Sequence, residues 1–429
     1  MRKPKQRKGT MAGHAKGTAA VAASLTALAL LVACSSKPPV PAKGGEASTS
    51  TAVTQLLGQE AAALADDENP AETFPAANTE PEMTTISSTD LETVSISTPE
   101  ASQEETATEN TNWPEPWEWS FDTPESQRMK SSELSALHAT YDSFLLLSAV
   151  IVRNGVVVDT YCKEGYDEYS VFTLQSTSKS ITGALVGVAI EQGYIESVDV
   201  PLSDYFPELL SASDVRWSRI TIRHLLTHTS GIASVDSPLW YEWRASEDWL
   251  AYLFALPIYT EPGTNFDYST GNTHLLSAVL ERATGKPLKD YAQEVLFEPL
   301  GMTSTGLGLA PEGVGDGGNG FSMTTLDLAR FGLLYLNGGV WQGRQIVPAD
   351  WVETSTTTQA QRASDGSRYG YQWWVRSFDG HSAYVAQGHY GQYLIVVPDL
   401  SLLIAINSDY EGSSRIYWQI ANDVIAACE

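Results

Sequence analysis

Ser176-Thr177-Ser178-Lys179 is the only place in the 429-residue chain where a serine precedes a lysine by three positions. On the first turn of a helix that spacing puts both side chains on one face, so the Lys179 amine reaches the Ser176 hydroxyl. Burial disfavours the ammonium, and a neutral amine can take the serine proton, the opening step of nucleophilic catalysis. A surface Ser and Lys on an amphipathic helix would share so short a pattern. The residues after Lys179 separate the two readings. Ile181, Leu185, Val188 and Ala189 keep helical spacing, Val186 and Ile190 make the helix apolar nearly all round, and Gly193 stops it. A lysine without a task would be costly there. Two other groups could do chemistry. His224 and His228 stand four apart, but no HExxH pattern or acidic third ligand accompanies them, so no metal is expected. Gly317-Gly318-Asn319-Gly320 is wrongly followed for a nucleotide loop and reads as a turn bordering the site. The GxSxG elbow of a Ser-His-Asp hydrolase is absent from the sequence.

These residues need a frame. Two β-branched runs, 149–152 and 156–158, flank Asn154-Gly155, a strong hairpin signal. Further strands are expected at 369–375, 384–387, 393–397 and 402–407, and Trp373 and Trp374 must then face opposite sides. Between the two strand regions lies a mainly helical stretch, about 198–345, with helices over 222–226, 273–282, 288–296 and 326–336. A closing helix carries Ile416, Ile420, Val424 and Cys428 on one stripe. Sheet, helical block, sheet predicts an α+β fold: an antiparallel sheet flanked by helices, with an all-helical insertion.

The amino end is a separate device. Residues 1–33 hold six basic residues and no acid, and an apolar run from Ala19 to Ala33 is shorter than the ~20 residues of a membrane span. This is the pattern of a secretory signal. Leu31-Val32-Ala33-Cys34 resembles the lipobox of bacterial lipoproteins, which implies a lipidated Cys34, cleavage before it, and a domain anchored outside the cytoplasm on a bacterial membrane. Residues 34–112 are rich in Ser, Thr, Ala, Glu and Pro, with fourteen acids and two lysines over 35–112, a composition that cannot bury enough apolar surface to fold. A disordered acidic tether is expected, and a folded domain from 113 to 429, starting where Trp113 and Trp117 bring aromatics. The net charge of -26 argues against nucleic acid as partner, and three cysteines are too few for a disulfide framework.

The run Ser176 to Gly187 resembles the nucleophile helix of the penicillin-binding-protein and class C β-lactamase superfamily of serine hydrolases. Ile222 to Gly231, Glu261-Pro262-Gly263-Thr264, Phe297 to Met302 and Leu328 to Gly332 agree in order and spacing, and the esterase-like and 6-aminohexanoate-dimer-hydrolase-like branch is the most similar. The resemblance implies Ser176, Lys179 and Tyr268 as the catalytic set, with Tyr268 shuttling a proton to the leaving group. The family's Tyr-x-Asn motif corresponds to Tyr268-Ser269-Thr270, so Thr270 replaces the amide, and Asn272 is the candidate to supply one; Tyr335-Leu336-Asn337 is a decoy. Lys-Thr-Gly corresponds to His389-Tyr390-Gly391, where a pH-dependent histidine replaces a fixed cation. Backbone N–H groups of Ser176 and Gln392 are the implied oxyanion donors, with Gly391 allowing the approach.

The implied function is an extracytoplasmic serine hydrolase that cleaves an ester or amide of a small-molecule or peptide substrate, with no cofactor, as a monomer. The alternatives are a silent surface protein that holds a peptide or wall fragment, and a weak β-lactamase or D-Ala peptidase. The family places its amino-terminal strands beside its closing helix, so Cys162 and Cys428 could form a disulfide; two free thiols is the other reading.

Overall fold

The computed structural model describes residues 117–141, 145–410 and 415–428. The expected leader, the tether, Cys34 and residues 113–116 lie outside them. In chain order the strands are β1 (Leu146–Arg153), β2 (Val156–Cys162), β3 (Val171–Thr173), β4 (Gly306–Leu307), β5 (Phe321–Thr324), β6 (Val340–Trp341), β7 (Arg344–Gln345), β8 (Ala360–Gln361), β9 (Arg368–Tyr369), β10 (Trp374–Phe378), β11 (His381–Gly388), β12 (Gln392–Val397) and β13 (Leu402–Ser408). Eight of them form one antiparallel sheet in the order β2-β1-β13-β12-β11-β10-β9-β8, so the first hairpin is completed by the last strand of the chain. Asn154 and Gly155 turn that hairpin with φ of 53° and 78°, a backbone that favours these two residue types.

Both faces of the sheet are covered, which is why its central strands read as continuous apolar runs. Val150, Val152, Leu394, Val396, Leu403 and Ala405 point to one side, where the helices Ser178–Glu191 and Thr325–Leu336 lie. Ala149, Ile151, Ile395, Val397, Ile404 and Ile406 point to the other, against the helices Ser131–Tyr141 and Arg415–Ala426. Trp373 and Trp374 part as expected: Trp373 packs on Phe331 and Tyr335, Trp374 on Tyr268 and Tyr369.

The stretch 198–345 is less uniform than its sequence suggests. It carries the helices Ile222–Leu226, Trp240–Ala245, Trp249–Ala255, Thr270–Thr284 and Leu288–Ala292, the last continuing as a π-helical turn, Gln293–Phe297. It also holds β4 and β5, which pair with β3 in a second small sheet, and its helix Thr325–Leu336 returns to the large sheet.

Cys162 and Cys428 are free thiols, and the disulfide expectation is corrected. The stripe on the closing helix fixes which face packs, not which end of the hairpin its last turn meets. Cys162 pairs with Ser148 at the open end of β1–β2, whereas Cys428 lies in the field of Arg153 at the turn end. Five residues of strand, about 16 Å at ~3.3 Å per residue, separate those ends, and a disulfide spans about 7 Å at most.

Candidate active site

The site forms where the carboxyl end of β11 and the start of β12 meet the turn that begins the nucleophile helix. Gln175–Thr177 is one 3-10 turn and Ser178–Glu191 continues as α-helix. Gly388 makes the meeting close: a Cβ there would stand 2.4 Å from the Leu174 carbonyl oxygen. The Thr177 hydroxyl donates to the Gln392 carbonyl at 3.0 Å, which sets the first residue of β12 beside Ser176. The Gln392 amide is turned away and donates to the Ser408 carbonyl, so its backbone is what can face the site.

Lys179 is 1 % exposed, and its Nζ makes three hydrogen bonds: to Ser176 Oγ at 2.8 Å, Thr270 Oγ1 at 3.0 Å and the Gly318 carbonyl at 3.0 Å. Burial lowers its pKa from 10.5 to about 8, opposed by the Asp236 and Asp316 carboxylates. The proton map around it is constrained. Gly318 O only accepts, and Thr270 gives its own hydroxyl proton to Asp236 Oδ1 at 2.7 Å. A neutral Lys179 has two N–H groups for these acceptors, which leaves its lone pair toward Ser176. The Ser176 hydroxyl donates to Asn319 Oδ1 at 3.0 Å when the lysine is charged and has only to rotate to meet the amine when it is not.

Tyr268 is half-buried, with its ring 5.1 Å from Lys179 Nζ and its hydroxyl in contact with that of Ser176. Burial, and next the Asp236 carboxylate, push its pKa up, so it stays a phenol at neutral pH and is a proton donor rather than a base. Its ring stacks on Trp374 at 5.7 Å and lies 4.6 Å from His228. His228 is fully buried, and desolvation first, then Lys179, hold its pKa well below the usual value, so a neutral imidazole supports the phenol. His224 accepts the Thr221 N–H at 3.1 Å and caps the helix Ile222–Leu226. Both histidines are structural, and among the described residues no group of three His, Cys, Asp or Glu could hold a metal ion.

One placement differs from the sequence reading. Asn272 is 2 % exposed and faces inward, accepting from Ser230 at 2.8 Å with its amide nitrogen 3.4 Å from His228; it offers no donor to the cleft. The reason is helical geometry: on Thr270–Thr284, two residues past Thr270 is nearly the opposite face. His389 is exposed on the turn between β11 and β12, its ring tilted against that of Tyr390 with centroids 4.1 Å apart, while Gly391 has φ 84°.

Asp236, Gly318 and Asn319 were missed as side-chain and backbone partners, though the glycine run around Asn319 stood out as a turn near the site. Its glycines are needed for approach: a Cβ at Gly317 would lie 2.4 Å from Ser277 Oγ, and one at Gly318 2.7 Å from Thr270 Cγ2. Asp236 had no local signal, being one of 52 acids.

Residues 142–426 match the family model described as Beta-lactamase. A 6-aminohexanoate-dimer hydrolase of Paenarthrobacter ureafaciens is 28% identical over 308 residues, 65% of this chain and 74% of that protein. Esterase EstB of Burkholderia gladioli is 29% identical over 182 residues, 37% of this chain and 46% of the esterase. The octameric penicillin-binding protein homologue from Pyrococcus abyssi shares the fold, with a TM-score of 0.57 at 20% identity over 70% of this chain and 77% of that one. The chain therefore belongs to the beta-lactamase family and is a hydrolase of that family.

Proposed function

We propose that the protein is an extracytoplasmic serine hydrolase, anchored through a lipidated Cys34, that cleaves an ester or amide by way of an acyl-enzyme on Ser176. The observation that carries the reading is the buried Lys179 amine 2.8 Å from Ser176 Oγ, with its other two bonds committed to acceptors that keep their protons elsewhere. Lys179 takes the Ser176 proton, and Oγ bonds to the carbonyl carbon. The oxyanion is held by the backbone N–H groups of Ser176 and Gln392. As the carbon–heteroatom bond breaks, the Tyr268 phenol protonates the leaving group and regains a proton from the Lys179 ammonium. Water, deprotonated along the same route, attacks the acyl carbon and returns Ser176. His389 stands at the cleft rim as a substrate contact.

Kinetics with paired leaving groups test the roles. Ser176→Ala should abolish turnover of all esters. Tyr268→Phe should cost about 100-fold on an alkyl ester, as loss of a positioned acid typically does, and far less on a nitrophenyl ester that needs no proton. Equal losses on both would remove Tyr268 as the acid. Location is tested by detergent partition: the Cys34→Ala protein should leave the detergent phase, and equal partition with the parent would rule out the anchor.

A further inference from the structure

Beside Ser176 a cavity of about 470 Å³ opens between the nucleophile turn and the helix Trp240–Ala245, lined among others by Gln175, Trp240, Arg244, Leu309 and Asn319. We infer that this cavity is an acyl-side subsite for a carboxylate, read by Arg244, so that the preferred substrates carry a dicarboxylic acyl group. The inference rests on the hydrolase reading above and adds the substrate class to it.

Arg244 is built in as a fixed cation. Its guanidinium lies 4.0 Å from the ring centroid of Trp249 and 5.3 Å from that of Trp240, and Nη1 donates to Asp316 Oδ2 at 2.7 Å. An arginine has five N–H donors in a planar fork, and no other bond from this one to a described residue accompanies the Asp316 contact. Asp316 also lines the cavity, but its side chain is only 5% exposed against 35% for Arg244, and its two oxygens already accept from Arg244 Nη1 and the Asn319 N–H, so the guanidinium presents the larger free polar surface to a molecule in the cavity. Fork geometry and stacking on indole favour a planar anion such as a carboxylate.

The side of the scissile bond follows from the proton donor. Tyr268 must stand beside the leaving group, and neither Tyr268, Trp374 nor His389 lines this cavity. The cavity is joined to the nucleophile instead through Gln175, its chain neighbour, and Asn319, which accepts the Ser176 hydroxyl proton and whose N–H is held by Asp316 Oδ1 at 3.1 Å. An acyl chain running from Ser176 past Asn319 arrives at Arg244. Trp240, Leu307 and Leu309 supply apolar walls for its methylenes.

The test compares nitrophenyl esters of glutarate, with a free terminal carboxylate, and of hexanoate, neutral and of similar length. The glutaryl-to-hexanoyl ratio of kcat/KM should fall about 10-fold or more in Arg244→Gln, the scale of a hydrogen-bonded charge contact, and Arg244→Lys should keep part of it. A ratio unchanged by Arg244→Gln, including a loss shared equally by both esters, overturns the subsite. Binding of monomethyl glutarate to the Ser176→Ala protein, measured by calorimetry, decides the matter without turnover: it should be seen and should vanish with Arg244→Gln, and no binding, or binding that ignores Arg244, overturns the proposal. If no ester is cleaved and Ser176 takes no fluorophosphonate, the hydrolase reading falls separately.

Discussion

Asp236→Asn should move the acid limb of the kcat/KM profile to lower pH. In the proposed mechanism the Lys179 amine is the base; burial lowers its pKa to about 8, and the Asp236 carboxylate is the first of the groups that hold it up against desolvation. Thr270 Oγ1 bridges the two, 3.0 Å from Nζ and 2.7 Å from Oδ1, so the charges are within about 6 Å. At an effective dielectric of about 20 the attraction is about 3 kcal/mol, or about two pH units as an upper bound. Asp236 is only half-buried, and water screens it, so about one unit is the working figure. Activity requires the neutral amine and rises with pH through the Lys179 pKa; removing the carboxylate favours the neutral amine and lowers that pKa. The other charged or titratable neighbours, Asp316, Tyr268 and neutral His228, stay in place. The assay is kcat/KM for a neutral nitrophenyl ester between about pH 5.5 and 10, which reports the free enzyme. The limb should move from about 8 to about 7. A limb that stays put, or moves up, would refute Lys179 as the base held by Asp236.

Gly318→Ala puts a Cβ 2.7 Å from Thr270 Cγ2 and shifts the carbonyl that receives Lys179; kcat should fall about 10-fold with the fold retained by circular dichroism, and full activity would contradict that contact. Lys179→Met should abolish turnover yet raise the melting temperature at pH 7. The folded pKa of about 8 lies below the unfolded value near 10.4, so the buried lysine costs up to about 3 kcal/mol below pH 8, and that cost fades as pH rises toward 10.4. A melting-temperature gain that does not shrink between about pH 8 and 10 would show that the gain has another source.

The parts of the site that were legible in the sequence are those whose geometry is local. Ser176 and Lys179 stand on one turn of a helix whose following residues are apolar nearly all round, and Asn154-Gly155 dictates its own hairpin, so neighbouring sequence carries both. Tyr268 came through resemblance, because the chain between it and Ser176 folds by tertiary packing. Asp236, Gly318 and Asn319 reach the site from segments 57 to 143 residues away, and nothing near them in sequence distinguishes Asp236 from the other acids. Asn272 was misplaced because proximity to the motif says nothing of which helix face it occupies. The helices Trp240–Ala245 and Trp249–Ala255 are short, and their indoles pack on Arg244 and His274, so tertiary contacts rather than periodicity hold them. The two-residue strands β8 and β9 are likewise defined only by pairing.

Intact-mass spectrometry of protein quenched in acid during turnover of a slow ester tests the covalent intermediate most directly. The parent should gain the mass of one acyl group, located by peptide mapping to Ser176, and the gain should be absent in Ser176→Ala. Turnover with no acyl adduct under conditions where deacylation is slowed, or an adduct on another residue, would contradict the Ser176 acyl-enzyme.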